Sequence, residues 1–239
     1  MKRRTAYSQN FLRNPQLVEL LVKKVGIATV DTVLDIGAGS GVITTVLARY
    51  CQHVIAIESD ARVLPILTKN VAMLENVTIV PTDVFEYTLP SGTYKIFANI
   101  PFHISAKLVR MLLFATNPPV ASYMIVQKQF ADKIEVSTTR FTAAIGVAIA
   151  PWFTVRQVYD LKRTDYWPHP NVDTVLIELK PRATPLLGSQ HKQLFGELVE
   201  ACYHSPPVFT KALKRAGTTY GGKPSELPPE RWVTLYAKQ

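Results

Sequence analysis

Between Asn14 and Pro185 short apolar runs alternate with amphipathic stretches. Asn14-Pro15 joins a capping residue to a proline suited to a first helical turn, and Leu17, Leu20, Leu21 and Val25 then fall on one helical face. TVLDIGAGSG (32–41) reads as a short buried strand running into a glycine-rich loop, and Val42 to Tyr50 resume helical spacing. The cycle repeats: strand HVIAIE (53–58) with a helix from Ala61 to Val71, then strand NVTIVPTDVF (76–85). KIFANIPF follows with a helix over 103–116, and ASYMIVQ (121–127) with a helix over 128–135. From 141 the apolar stretches lack clear crossover helices and end in TVLIELKP (174–181). Strands alternating with helices predict a parallel, doubly wound α/β sheet, and the late strands an antiparallel finish. Beyond Pro185 only helical patterns remain, over 190–203, 208–216 and 229–237, interrupted by TTYGGKPSELPP. The expected organisation is an α/β domain over 1–185, opening with a basic segment (1–14), and a small all-α domain over 186–239. The chain shows no internal repeat and no low-complexity tract.

Composition adds bounds. With 47% apolar and 19% charged residues in 239, the chain can bury an ordinary globular core. No apolar run approaches the roughly 20 residues of a membrane helix. The basic start MKRRTAYSQNFL lacks the apolar core of a signal peptide, so a cytoplasmic chain without membrane association is expected. Cys51 and Cys202 stand far apart without metal-like spacing, as expected of packing thiols in a reducing compartment. His53, His103, His169, His191 and His204 show no ligand spacing either, so no metal is expected. Charge is more informative. Residues 1–24 and 180–239 each carry +5 of the net +9, which leaves −1 for the middle. A near-neutral core with two basic ends suits contact with a polyanion. Arg3, Arg4 and Arg13 at one end, and Lys211, Lys214 and Arg215 at the other, are the candidate polyanion contacts.

The glycine loop narrows the cofactor. Glycines at a strand–loop–helix junction let backbone approach a ligand closely, and fit dinucleotides and S-adenosylmethionine alike. Here the spacing is GxGxG through Gly37, Gly39 and Gly41, and position 42, where a dinucleotide motif needs a small residue, is Val. Asp35, expected in the loop, would repel a pyrophosphate but suits a zwitterionic amino acid. Glu58 closes the second strand, where a carboxylate can accept from both ribose hydroxyls, and Asp83 closes the third, within reach of an adenine amine. Three carboxylates at successive strand ends favour S-adenosylmethionine.

The fourth strand ends in Asn99-Ile100-Pro101-Phe102 at the same sheet edge, where such folds keep their sites. A methyl sulfonium needs a nucleophile in line, and an exocyclic base amine is a poor one because its lone pair is delocalised. It needs acceptors for its two N–H bonds so that nitrogen can pyramidalise. The Asn99 side-chain oxygen and the carbonyl of Ile100 or Pro101 can supply them, Pro101 fixes the turn, and Phe102 offers a stacking face.

SQNFL (8–12), DIGAGSG (35–41), the acids Glu58 and Asp83, NIPFHIS (99–105) and YWPHPNV (166–172) stand in the order seen in rRNA adenine N6-methyltransferases. The chain resembles that family over nearly its whole length. It is most similar to the erythromycin-resistance (Erm) methyltransferases, and less so to small-subunit dimethyladenosine transferases, which usually show NLPY and a larger C-terminal domain. The resemblance implies a Rossmann-like S-adenosylmethionine-dependent methyltransferase sheet with a small all-α, RNA-contacting C-terminal domain. It implies mono- or dimethylation at N6 of an adenine in 23S rRNA, before full ribosome assembly, by a monomer, with resistance to macrolides, lincosamides and streptogramin B. It further implies that Asn10 and Leu12 contact the methionine end of the cofactor, with Gly37 beneath it in the Gly39-containing loop. Glu58 would bind the ribose, Asp83 and Val84 would frame the adenine, and Asn99 would face both cofactor and target amine. Tyr166 matches the aromatic of the family's F-x-P-x-P-x-V motif and is a second candidate stacking face. Two departures stand out: Phe102 replaces a frequent Tyr, and Tyr166 adds a hydroxyl where the family has Phe. Alternatives are a 16S rRNA dimethyltransferase, a non-catalytic RNA-binding protein on the same fold and, more distantly, a nicotinamide dehydrogenase.

Overall fold

A computed structural model of the chain describes residues 11, 12, 14–136 and 141–239. The expectations for Arg3, Arg4, Asn10 and Arg13 lie outside the described residues. In chain order, the first half comprises β1 (Phe11–Leu12), α1 (Pro15–Lys24), β2 (Thr32–Ile36), α2 (Val42–Leu47), β3 (His53–Ile57), α3 (Leu64–Val71), β4 (Val77–Val80) and β5 (Lys95–Asn99). There follow α4 (Ser105–Phe114), β6 (Ala121–Gln127), α5 (Lys128–Ile134), α6 (Ala144–Ile149), β7 (Phe153–Leu161), β8 (Tyr166–Trp167) and β9 (Thr174–Pro181). Three helices close the chain: α7 (Lys192–His204), α8 (Pro206–Arg215) and α9 (Pro229–Tyr236).

Seven strands form one sheet in the order β4-β3-β2-β5-β6-β9-β7. β2 to β6 are parallel, and β9 runs antiparallel between β6 and β7. From β2 the chain winds outward through β3 to β4, then returns to β5 on the other side of β2. The topology therefore reverses between β2 and β5, and their carboxyl ends open the crevice where such sheets bind ligands.

Local chemistry explains the elements. The Asn14 side chain accepts the amides of Gln16 and Leu17 at 3.0 and 3.3 Å, which caps α1 as its sequence predicts. Val33, Leu34, Val54, Ala56, Ile96, Phe97 and Ala98 are fully buried, as expected of strands covered on both faces. Two features depart from the sequence reading. A helix, α6, stands in the stretch expected to lack one: AIGVAI is apolar on every side and almost wholly buried, so it carries no amphipathic period. β1 and β8 form a separate antiparallel pair joining Phe11 to Trp167 and Leu12 to Tyr166, too short to show alternation.

After β9 only helices follow, and their buried residues Phe195, Val199, Cys202, Phe209 and Trp232 belong to the same cluster as Leu34, Ile96, Leu108 and Met124. Trp152 meets Phe195 edge-on at 5.7 Å, and the Tyr203 hydroxyl donates to the Thr142 carbonyl at 2.7 Å. Cys51 and Cys202 are both buried free thiols, and burial pushes each up to about 11.

Candidate active site

The glycine loop and the turn after β5 meet at the crevice. Gly37 has φ +72°, and a side chain there would touch the Pro101 ring, so the two loops lie against each other. The amides of Gly37 and Ala38 donate to the Ile57 carbonyl at 2.8 and 3.1 Å, which draws the loop onto the end of β3. Gly41, at φ +87°, leaves room for Leu67 of α3: an added Cβ would lie 2.8 Å from its Cδ1.

Glu58 follows β3 directly and is buried. Its Oε2 accepts the Gly39 amide at 2.8 Å and its Oε1 the Asp60 amide at 2.7 Å. Two charge-assisted hydrogen bonds thus hold the carboxylate rigid. Beside it opens a cavity of about 380 Å³, lined among others by Gly37, Glu58, Asp83, Val84 and Pro101. Its walls combine carboxylates with apolar surface from Val84, Phe85 and Ile104. That chemistry fits a nucleoside: ribose hydroxyls donate to a carboxylate while a base lies against the apolar walls.

Asp83 is exposed in the turn after β4, three residues beyond that strand's end, where its Oδ1 also accepts the Phe85 amide at 3.0 Å. Phe85 lies under the Lys107 ammonium, 3.7 Å from its ring centre. Asp60 and Arg62, which sequence reading passed over, also line the cavity. Arg62 donates to both Asp60 oxygens, and those bonds hold that carboxyl down at about 2. The signal was the run ESDAR straight after the strand, where an Asp can bond the amide two residues on.

Asn99 ends β5, half-buried, and pairs with Ile125 across the sheet. The Ile100 side chain is core, and its amide donates to the Ile125 carbonyl at 3.1 Å. The Pro101 carbonyl already accepts the Ile104 amide at 3.0 Å, closing a 3₁₀ turn over Phe102–Ile104. Phe102 is half-buried and belongs to no hydrophobic cluster of the described residues, unlike its neighbours Ile100 and Ile104.

Two expectations need correction. Tyr166 is 1% exposed: its ring packs in the core with Leu12 and Leu161, and its hydroxyl bonds Thr174 Oγ1 at 2.7 Å. It is therefore no stacking face, and the hydroxyl absent from the family motif has a buried partner. Asp35 lies in β2 rather than in the loop, fully buried, where its Oδ2 accepts the Thr44 hydroxyl at 2.6 Å. Burial, opposed by that bond and aided by the nearby Glu58 charge, pushes its carboxyl up to about 7. It ties α2 to the sheet and does not line the cavity. The Leu12 side chain is buried, which leaves its main chain as the part able to meet a ligand. Lys211, Lys214 and Arg215 are exposed along α8.

A doubly wound sheet with a glycine loop, a rigid strand-end carboxylate and a nucleoside-sized cavity at its switch point defines a Rossmann-like, S-adenosylmethionine-dependent methyltransferase. The profile of the ribosomal RNA adenine dimethylase family matches residues 1–206, and the chain belongs to that family. Its enzyme class is rRNA adenine methyltransferase, with S-adenosylmethionine as cofactor. Over 212 residues it is 29% identical to the Ribosomal RNA small subunit methyltransferase A of Latilactobacillus sakei, covering 84% of this chain and 71% of that one. Over 208 residues it is 29% identical to the rRNA adenine N-6-methyltransferase of Bacillus licheniformis, covering 84% and 69%. Among solved structures, the 23S rRNA methyltransferase ErmE superposes with a TM-score of 0.78 at 25% identity, covering 96% of this chain and 99% of that one. A dimethyladenosine transferase from Plasmodium falciparum shares the fold at a TM-score of 0.74 and 18% identity, covering 94% and 95%.

Proposed function

We propose that this chain methylates N6 of an adenine in 23S rRNA, once or twice, and thereby confers resistance to macrolides, lincosamides and streptogramin B. The observation that carries the reaction is the contact of Gly37 with Pro101, which sets the Asn99–Phe102 turn against the carboxylate-lined cavity. S-adenosylmethionine, when bound, supplies the electrophilic methyl. Glu58 would hold its ribose, Asp83 and Val84 its adenine, and Gly37, Gly39, Leu12 and Asn10 its methionine end. Asn99 Oδ1 and the Ile100 carbonyl would accept the two N–H bonds of the target amine, the Pro101 carbonyl being engaged with Ile104. That grip lets nitrogen pyramidalise and localises its lone pair. Phe102 would stack on the extruded base, repaying about 1–3 kcal/mol of an unstacking cost of a few kcal/mol.

The choice of 23S rRNA is supported by ErmE, which superposes at a higher TM-score and identity (0.78, 25%) than the dimethyladenosine transferase (0.74, 18%). A second reading, methylation of 16S rRNA, is favoured by relatives named for the small subunit. Expression in a host lacking both activities, with reverse-transcription stops mapped on both rRNAs and the product nucleoside weighed by mass spectrometry, separates them. Stops at one 23S adenine are expected, with macrolide resistance of the host. Stops confined to 16S rRNA would establish the second reading, and unmodified RNA with retained RNA binding would point to a non-catalytic protein. We further expect a cytoplasmic monomer that acts on rRNA before assembly is complete.

A further inference from the structure

We infer that the groove between α8 and the 217–224 segment is a second RNA site, which grips single-stranded nucleotides flanking the target while the adenine is held at Asn99. This rests on the reading of the chain as an rRNA methyltransferase. The groove has a volume of about 930 Å³ and is open to solvent. Lys214 and Lys223 stand on its walls beside the half-buried Tyr220 ring, the buried Phe209 and Leu213 close its floor, and no residue lining it is acidic. Cations beside an apolar, partly aromatic wall are what single strands require: ammonium groups track phosphates while unpaired bases lie on the wall. A duplex would present only its phosphates.

The segment is held open by its own chemistry. The Arg231 guanidinium lies 5.1 Å over the Tyr220 ring and donates to Thr218 Oγ1 and the Thr219 carbonyl, while the Tyr220 hydroxyl donates to the Glu226 carbonyl at 3.1 Å. The nearby Glu226 carboxylate accepts the Lys223 amide at 3.1 Å. Along α8, Phe209, Ala212 and Leu213 are buried, so Lys211, Lys214 and Arg215 share the outer face and extend the groove's positive field.

The α8 start of the groove lies toward the reacting edge. Lys192 at the start of α7 reaches the Leu113 carbonyl near the end of α4, and Glu200, two turns on, pairs with Arg110 one turn back. α7 thus runs antiparallel to α4. Because α4 begins directly after the Asn99–Phe102 turn, α7 ends and α8 begins toward that turn. RNA leaving the site along the C-terminal helices would enter the groove at Pro206 and run on toward Lys214 and Lys223.

The test compares the full chain, Lys214→Glu/Lys223→Glu, Lys214→Gln/Lys223→Gln, and a charge-matched control, Arg49→Glu/Lys69→Glu, whose exposed side chains line neither the groove nor the Glu58 cavity. Fluorescence anisotropy reads binding of a 12-nucleotide single strand, a duplex of equal length, and polyglutamate. Methylation of an rRNA transcript gives kcat and KM, and circular dichroism reports folding. The groove variant should bind the single strand about tenfold more weakly, with a log–log salt slope shallower by roughly 1.4 for two contacts. Its KM should rise with kcat unchanged, the Gln pair should show a smaller loss, and the control should resemble wild type. Equal losses in both charge-reversal variants, an unchanged single-strand affinity, or polyglutamate binding weakened as much as RNA would overturn the inference. Absence of methyl transfer by wild type would instead strike the proposed function, and the anisotropy would still decide the groove.

Discussion

At the scale of single residues, the neighbours Asn99 and Phe102 should separate in their effects. If Asn99 accepts from the target amine, Asn99→Ala should cut the single-turnover methyl-transfer rate sharply while RNA affinity stays near wild type. Phe102→Ala should lose about 1–3 kcal/mol of base stacking, read in kcat/KM, and Phe102→Tyr should be mild because the ring remains. Normal turnover by Phe102→Ala on full-length rRNA would make the ring a packing residue. Glu58 carries a double load. Glu58→Ala should weaken S-adenosylmethionine at least tenfold by calorimetry and also destabilise the chain by about 1–3 kcal/mol, since the Gly39 and Asp60 amides lose their acceptor. Glu58→Gln keeps one oxygen acceptor and should recover part of the stability. An unchanged affinity in the folded Ala variant would remove Glu58 from the site. The residue types of the site were legible because each carboxylate and the NIPF turn interrupt an apolar strand. Tyr166 was not, because the same aromatic serves a cleft wall or a core, and only the Thr174 hydroxyl across the loop decides between them.

At the scale of elements, Asp35 links β2 to α2 and carries a pH signature. An aspartate ordinarily titrates near 3.9, whereas burial lifts Asp35 to about 7. Between those values the native state keeps a proton that the unfolded chain has lost. Stability from this group therefore falls as pH rises from about 4 to about 7, by at most roughly 1.4 kcal/mol per pH unit, and is level on either side. Asp35→Asn retains an oxygen for Thr44 and has no charge to bury. Denaturant midpoints at about pH 5 and pH 7.5 should separate the two proteins: the variant should gain on wild type at the higher pH. The same difference at both values would mean that Asp35 stays ionised. This acid was misplaced by one element because DIGAG gives no sign of where strand becomes loop. The boundary is set by the Ile57 carbonyl, which takes the Gly37 and Ala38 amides. The parallel strands were legible from unbroken apolar runs between turn residues. α6 was not, because a helix buried on all sides has no polar face to give it a period.

At the scale of the molecule, charge separates from chemistry. The Glu58 cavity is built on the near-neutral middle of the chain, while each basic end adds +5. We take the helices beyond 186, together with the basic segment over 1–14, as the RNA-contacting parts, even though those helices share a core with the sheet. Phosphate contacts by lysine and arginine release counterions, so log affinity should fall linearly with log salt, by about 0.7 per contact on single strands. Replacing Arg3, Arg4 and Arg13 by Gln should flatten that slope by up to about 2 for three contacts. The same change at Lys211, Lys214 and Arg215 should do likewise, and additive losses would mark the two sets as independent surfaces. Cofactor affinity by calorimetry should not move in the α8 set, because none of its three residues lines the Glu58 cavity. A slope as steep as wild type in both would reduce the basic ends to solubility. A slope flattened only by the α8 set would assign the polyanion to the C-terminal helices and leave the N-terminal arginines outside the interface.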